Sequence, residues 1–167
     1  MKLSKAVLSI ITIFLMACNS DEDLNPIPEL PQIPSDTTTT YSYLALGDSY
    51  TIGQGVPPAE RWPNQLQAAL ANDSIYIDSL TIIAQTGWTT ANLVDNIANS
   101  DPQPHDIVSL LIGVNNQFQN KPFEVFTEGF DELLQTAIDL AGSSDKVFVV
   151  SIPDYGVTPF GANNSAT

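Results

Sequence analysis

The chain has 167 residues, 43% of them hydrophobic and 14% charged, which fits about one domain and excludes a mostly disordered polymer. Nineteen Asp and Glu against five Lys and Arg give a net charge of −14. Such a chain has no basic patch with which to replace the counterions of a nucleic acid, and its single Cys excludes an internal disulfide.

The first segment reads as an address. Lys2 and Lys5 precede an apolar run over residues 6–17, too short to span a bilayer and typical of a secretory signal peptide. The run ends Leu15-Met16-Ala17-Cys18, which resembles the lipobox of bacterial lipoproteins. That resemblance implies a signal peptide over 1–17 and a lipid on Cys18 that anchors the protein by its buried CH₂ groups. It places the protein in the bacterial cell envelope, at the outer membrane, facing the periplasm or the surface. Both early lysines leave with the signal. Arg61, Lys121 and Lys146 then stand against all 19 acids, so the protein surface itself is repelled by anionic headgroups.

Residues 18–42 read as a tether. Asp21, Glu22 and Asp23 lead into Pro26, Pro28, Pro31 and Pro34 and then Thr37 to Thr40. The prolines block helix and favour extended polyproline geometry, which at ~3.1 Å per residue reaches at most about 70 Å. The acidic triplet resembles surface-export signals of Bacteroidetes lipoproteins. A plain solvated linker accounts for it equally well.

From Tyr43 to the end, strand and helix alternate. Tyr43-Leu44-Ala45-Leu46 reads as a buried strand closed by Gly47. Residues 60–71 carry Trp62, Leu66, Ala69 and Leu70 at helical spacing, with Pro63 near the start, where a missing N–H is harmless. Residues 79–84 are the second strand. Thr89 or Thr90 caps a helix that holds Leu93, Val94 and Ile97 and ends at Pro102 and Pro104. Residues 107–112 (IVSLLI) form the third strand and stop at Gly113. Residues 122–141 form a long helix with Phe123, Phe126, Phe130, Leu133, Leu134 and Ala137 on one face and Gly142 as its stop. Residues 147–152 are the fourth strand. This order, β-α-β-α-β-α-β, predicts an α/β domain with right-handed crossovers, a parallel sheet and helices on both faces.

Sites in such sheets lie beyond the carboxyl ends of the strands. Those ends read Gly47-Asp48-Ser49-Tyr50-Thr51, Gln85-Thr86-Gly87-Trp88-Thr89, Gly113-Val114-Asn115-Asn116-Gln117 and Ser151-Ile152-Pro153-Asp154-Tyr155. A Ser after the first strand can be presented as a nucleophile, and backbone N–H groups with a side-chain amide can hold an oxyanion. Taken singly, Ser49 is a helix cap, Gly87 a turn and Asn115 a loop hydrogen-bonder. Together, Gly47-Asp48-Ser49, Gly87 and Gly113-x-Asn115, in order and each after its own strand, resemble the SGNH (GDSL-type) hydrolases. The likeness runs from about Tyr43 to Phe160.

The resemblance implies a flavodoxin-like three-layer fold with a five-stranded parallel sheet of order 2-1-3-4-5, of which four strands are present here. It implies ester hydrolysis through an acyl-enzyme on Ser49, with the Ser49 and Gly87 N–H groups and the Asn115 side chain as oxyanion hole. No metal or cofactor is implied. The expected partner is a small-molecule, glycan or lipid ester, with no role for nucleic acid. Two departures stand out. Asn116 replaces the Asp usual in the third block, which keeps an acceptor and loses a charge. The family's last block, Asp-x-x-His after a fifth strand, is absent.

The only histidine, His105, precedes the third strand, at the amino end of the sheet. A six-residue strand spans roughly 20 Å, so His105 is expected to be a surface loop residue beyond reach of Ser49. Asp154 lies on the correct side of the sheet, but a carboxylate is a poor base for a serine hydroxyl, and it is expected to cap a loop. Trp62, Trp88 and Tyr50 are expected to pack on the sheet rather than line a pocket. The ending GANNSAT reads as a loop cut midway, so a truncated esterase is expected. The alternatives are an inactive member that only binds an acylated ligand, at the cost of an exposed fourth-strand edge, and a structural lipoprotein with no site.

Overall fold

A computed structural model describes residues 39–157. The signal segment over 1–17, Cys18 and the tether up to residue 38 lie outside the described residues, as do residues 158–167.

Four parallel strands form one sheet of order β2-β1-β3-β4: β1 is Thr40–Gly47, β2 Tyr76–Ala84, β3 Ile107–Leu111 and β4 Val147–Val149. The register sets Gly47 beside both Ala84 and Leu111, so three strands end level. The chain then enters α1 (Ser49–Ile52), α2 (Trp62–Asn72), α3 (Thr90–Ser100), α4 (Val114–Phe118) and α5 (Phe123–Ala141).

Alternation along β1 builds two cores. Leu44 and Leu46 face one side with Val108, Leu110 and Ile112, and there Leu93 and Ile97 of α3 and Leu133, Ala137 and Ala141 of α5 cover them. Tyr43 and Ala45 face the other side with Ile77, against Trp62, Leu66 and Leu70 of α2. Successive strand residues point to opposite faces, so a strand covered on both must be apolar throughout. Within β3 the one polar residue, Ser109, is fully buried and hydrogen-bonded to Tyr43 Oη at 2.7 Å. Burial pushes the Tyr43 phenol up to about 12.

The boundaries differ from expectation in several places, among them β2, which begins at Tyr76 rather than at residue 79 because Tyr76 and Ile77 pair with Thr40 and Tyr41. β1 begins at Thr40, inside the stretch read as tether, because Thr40 pairs with Tyr76 and the Ser42 N–H and hydroxyl both donate to Asp106 Oδ2 at 2.8 Å. Those are long-range bonds, invisible to an apolar count. β4 ends at Val149 rather than at residue 152, although the Val150 N–H still donates to Leu110 O at 3.0 Å. Two segments read as loops, α1 and α4, are helices of one turn. Among the described residues, no helix is long and apolar enough to cross a membrane.

Candidate active site

The level ends of β2, β1 and β3 bring three turns together. Leaving β1, Asp48 caps α1: its Oδ1 accepts from the Tyr50 N–H at 3.0 Å. Ser49 is thereby the first residue of α1, half-buried, with its own N–H where the helix offers no carbonyl to accept it. Asp48 is fully buried and, among the described residues, its Oδ2 has no partner. Burial raises its carboxyl from 3.8 to about 6, against the opposing pull of the Tyr50 N–H.

Leaving β2, residues 85–88 form a turn closed by Trp88 N–H to Gln85 O at 3.3 Å. Gly87 is its third residue, with φ +85°, while Thr86 is not among the non-glycine residues of positive φ. That combination is a type II turn, and its third position favours Gly because a side chain is strained at positive φ. The Gly87 N–H finds no acceptor among the described residues. Thr89 then caps α3 in a reciprocal box with Asn92.

Leaving β3, Gly113 opens α4, which carries Asn115 and Asn116. Their amides serve different ends. Asn115, half-buried, donates through Nδ2 to Trp88 O at 2.9 Å, which leaves its other amide hydrogen for a ligand. Asn116 is buried: its Oδ1 accepts from Thr90 N at 3.0 Å and its Nδ2 donates to Thr90 Oγ1 at 3.0 Å. The neutral amide satisfies both bonds, so the departure from Asp costs no hydrogen bond at this position.

Ser49, Gly87 and Asn115 thus lie on three adjacent turns at one end of the sheet. His105 lies elsewhere. Its Nδ1 is 2.6 Å from Gln103 O and its Nε2 3.2 Å from Thr81 Oγ1, and its N–H donates to Leu140 at the end of α5. Thr81 pairs with Leu44, three residues before the end of β1. The histidine is half-buried rather than fully on the surface, and it belongs to the amino end of the sheet, as its place before β3 predicts. Asp154 accepts from the Gly156 N–H at 2.8 Å, a loop cap. Trp62 and Trp88 pack against the two cores.

Two apolar grooves flank the sheet. One, of about 550 Å³, opens beside α4 between Gly113, Phe123, Phe126 and Ile152, at the same end as Ser49. The other, of about 510 Å³, lies at the amino end against Tyr41, Leu70, Ile107 and Lys146 and takes no part in the site. No group of three His, Cys, Asp or Glu is placed to hold a metal ion among the described residues.

Residues missed by sequence reasoning are Asp48 as a buried carboxyl, and Gln54 and Gln119 as bridges between the turns. The Gln54 N–H donates to Ser49 O at 2.9 Å and its Oε1 accepts from Thr86 Oγ1 at 2.6 Å. The Gln119 N–H donates to Asn115 O at 2.9 Å and its Nε2 to Gly87 O at 3.0 Å. Two exposed glutamines carry no periodic or compositional signal that marks them.

Residues 45–167 match the profile of the GDSL-like Lipase/Acylhydrolase family. Among solved structures, the chain is similar to AlinE4, an SGNH-hydrolase family esterase, with 22% identity and a TM-score of 0.56 over 68% of this chain and 58% of that one. It is similar to TesA, with 20% identity and a TM-score of 0.56 over 75% and 68%. It is also similar to the psychrotrophic esterase EstA from Pseudoalteromonas sp., whose structure is inhibited by monoethylphosphonate, with 19% identity and a TM-score of 0.52 over 74% and 65%. The likeness is one of fold, and the chain spans less than two thirds of AlinE4 and of EstA. No curated protein matches the sequence.

Proposed function

The chain belongs to the GDSL-like lipase/acylhydrolase family, and we propose that its three-turn site is the nucleophile and oxyanion hole of a serine esterase. The observation that carries this reading is the Asn115 amide: it stands half-buried on the turn after β3, with one hydrogen held on Trp88 O, in the turn that carries Gly87, and the other left for a ligand. In the reaction, Ser49 Oγ attacks the ester carbonyl carbon. The new oxyanion is held by the Ser49 and Gly87 N–H groups and by Asn115 Nδ2. The proton lost from Ser49 Oγ ends on the departing alkoxide, which leaves as the alcohol, and water then attacks the acyl-enzyme to release the acid and return the proton to Ser49 Oγ. The apolar groove beside α4 suits the hydrocarbon part of an ester of low polarity.

Attack by Ser49 needs a base within hydrogen-bond reach. Among the described residues none is bonded to Oγ, and the one histidine has its ring nitrogens on Gln103 O and Thr81 Oγ1 instead. That observation favours a second reading, in which these 167 residues bind an acylated ligand and do not turn it over.

Added imidazole separates the two. A p-nitrophenyl alkylphosphonate reacts by forming an Oγ–P bond as p-nitrophenolate leaves, and free imidazole takes the serine proton. The expected result is one covalent adduct, mapped by mass spectrometry to Ser49, whose rate rises with imidazole concentration and which is lost in Ser49→Ala. An equal yield in Ser49→Ala, or no adduct with imidazole present, sinks the esterase reading.

The same proposal places the protein in the cell envelope, anchored through a lipid on Cys18, on the strength of the Leu15 to Cys18 sequence. Expressed with its leader in a bacterium, the protein is expected in the membrane fraction with incorporated radiolabelled palmitate. Cys18→Ser is expected to lose the label and move to the soluble fraction. Membrane association unchanged in Cys18→Ser, without label in either form, refutes the anchor.

A further inference from the structure

The Gly87 N–H belongs to the Thr86–Gly87 peptide, the central peptide of the Gln85–Trp88 turn. In a four-residue turn this plane is the part that rotates: types I and II differ mainly in which way it faces. A flip toward type I turns the Gly87 N–H away from the Ser49 side while leaving the Trp88-to-Gln85 closure in place. With no side chain on Gly87 and open space around its Cα, sterics alone offer little resistance to that flip. The oxyanion geometry therefore depends on whatever holds the two flanks of this peptide.

Both flanks are held, and in the same way. On one side, Gln54 bonds through its backbone N–H to Ser49 O and through its side chain to Thr86 Oγ1. On the other, Gln119 bonds through its backbone N–H to Asn115 O and through its side chain to Gly87 O. Each glutamine ties one neighbour of the turn to the turn itself, so three groups on three separate turns are referenced to one another. Both side chains are exposed and pack in neither core. Their bonds lie where they constrain the turn.

We propose that Gln54 and Gln119 are positioning residues that latch the Gln85–Trp88 turn in its type II form, and so hold the Gly87 N–H on the centre shared by Ser49 and Asn115. The proposal deepens the esterase reading and rests on it for its purpose. The latch itself is a property of the turn and is tested separately.

The two bonds have opposite polarity. Thr86 Oγ1 donates to Gln54, so Gln54→Glu keeps the acceptor. Gly87 O can only accept, so Gln119→Glu replaces a donor with a carboxylate and breaks the bond. The experiment uses the ¹⁵N-labelled 167-residue chain and follows the Gly87 amide by relaxation dispersion, which reads μs–ms exchange. In Gln119→Ala, Gln119→Glu and Gln54→Ala, the Gly87 resonance is expected to gain exchange broadening that the parent lacks. Amides of β1 and β3 are expected to stay as in the parent, and Gln54→Glu is expected to resemble the parent. Where Ser49 is phosphonylated, the rate is expected to fall about tenfold in the three latch-broken variants with reagent saturation unchanged.

An unchanged Gly87 amide in Gln119→Ala and Gln119→Glu overturns the latch, whatever Ser49 does. A disturbed Gly87 amide with an unchanged phosphonylation rate overturns its role in positioning. Absence of phosphonylation in parent and variants alike counts against the esterase reading, and the amide spectra still decide the latch.

Discussion

Gly47→Ala is expected to lower the unfolding free energy by roughly 3 kcal/mol, at the upper end of overpacking costs. A Cβ at residue 47 would land on Thr51 Oγ1 and lie 2.7 Å from Thr51 Cβ and 2.6 Å from the Leu111 carbonyl oxygen. Thr51 is fully buried and has no room to retreat. Leu111 is the residue that pairs with Gly47 across β1 and β3, so moving its carbonyl disturbs the central pairing of the sheet. The strand backbone itself is ordinary here, since Gly47 is not among the glycines of positive φ. The requirement is for space. Urea denaturation followed by far-UV circular dichroism measures the loss. Adding Thr51→Ala removes one obstruction and leaves the carbonyl, so the double variant is expected to recover only part of it. A stability within about 0.5 kcal/mol of the parent, the ordinary range for a harmless surface substitution, refutes the packing account.

The second large effect concerns Asp48. Its carboxyl titrates near 6 in the folded protein against 3.8 ordinarily, because the side chain is buried and one oxygen is unpartnered. The folded state therefore holds this proton longer than the unfolded one. Below about pH 4 both states are protonated and Asp48 costs nothing. As pH rises from about 4 to 6 the unfolded chain ionises first, and stability falls. Above 6 the full penalty applies, about 3 kcal/mol for a shift of this size. Asp48→Asn keeps the cap on Tyr50 N–H and removes the titration, although its NH₂ inherits the unpartnered position. Relative to the parent, Asp48→Asn is expected to gain about 3 kcal/mol between pH 4 and pH 7, on top of a pH-independent offset. Denaturation series across that range read the difference between the two proteins, which cancels the other carboxylates. A difference that stays flat with pH shows that Asp48 ionises as easily folded as unfolded.

Both predictions fall on the GDS stretch, and neither was legible in the sequence. The tripeptide after an apolar strand pointed to Ser49 as an exposed turn residue. It said nothing of the adjacent side chains. The burial of Asp48 is a tertiary property: it directly follows Gly47, which sits level with both Ala84 and Leu111. Asn116 is a similar case. Its departure from the family pattern was plain, and its consequence was not, because its partner Thr90 is 26 residues away.

The short helices α1 and α4 escaped for another reason. Four or five residues make barely one turn, too few to show a 3.6-residue period, and polar residues dominate both. The longer helices were legible for the converse reason: Leu93 and Ile97, or Phe130, Leu133 and Ala137, repeat at intervals that only a buried helical face requires. The placement of His105 was legible too. A residue just before a parallel strand must sit toward the amino end of the sheet, and the bond from the His105 backbone N–H to Leu140 O at the end of α5 fits that, although its ring reaches Thr81 in the middle of β2.

By itself, then, the sequence determined the alternation of strand and helix, the burial of both sheet faces, and the small or polar character of each strand end. These depend on hydrophobic period and on chain-breaking residues, which are local properties. Tertiary structure alone decided which polar side chains meet above the sheet: Asn115 on Trp88, Asn116 on Thr90, Gln54 on Thr86 and Gln119 on Gly87. Hydrogen bonds between turns depend on angle and on tenths of an ångström. Those are set by how strands register and helices pack, and no spacing along the chain records them.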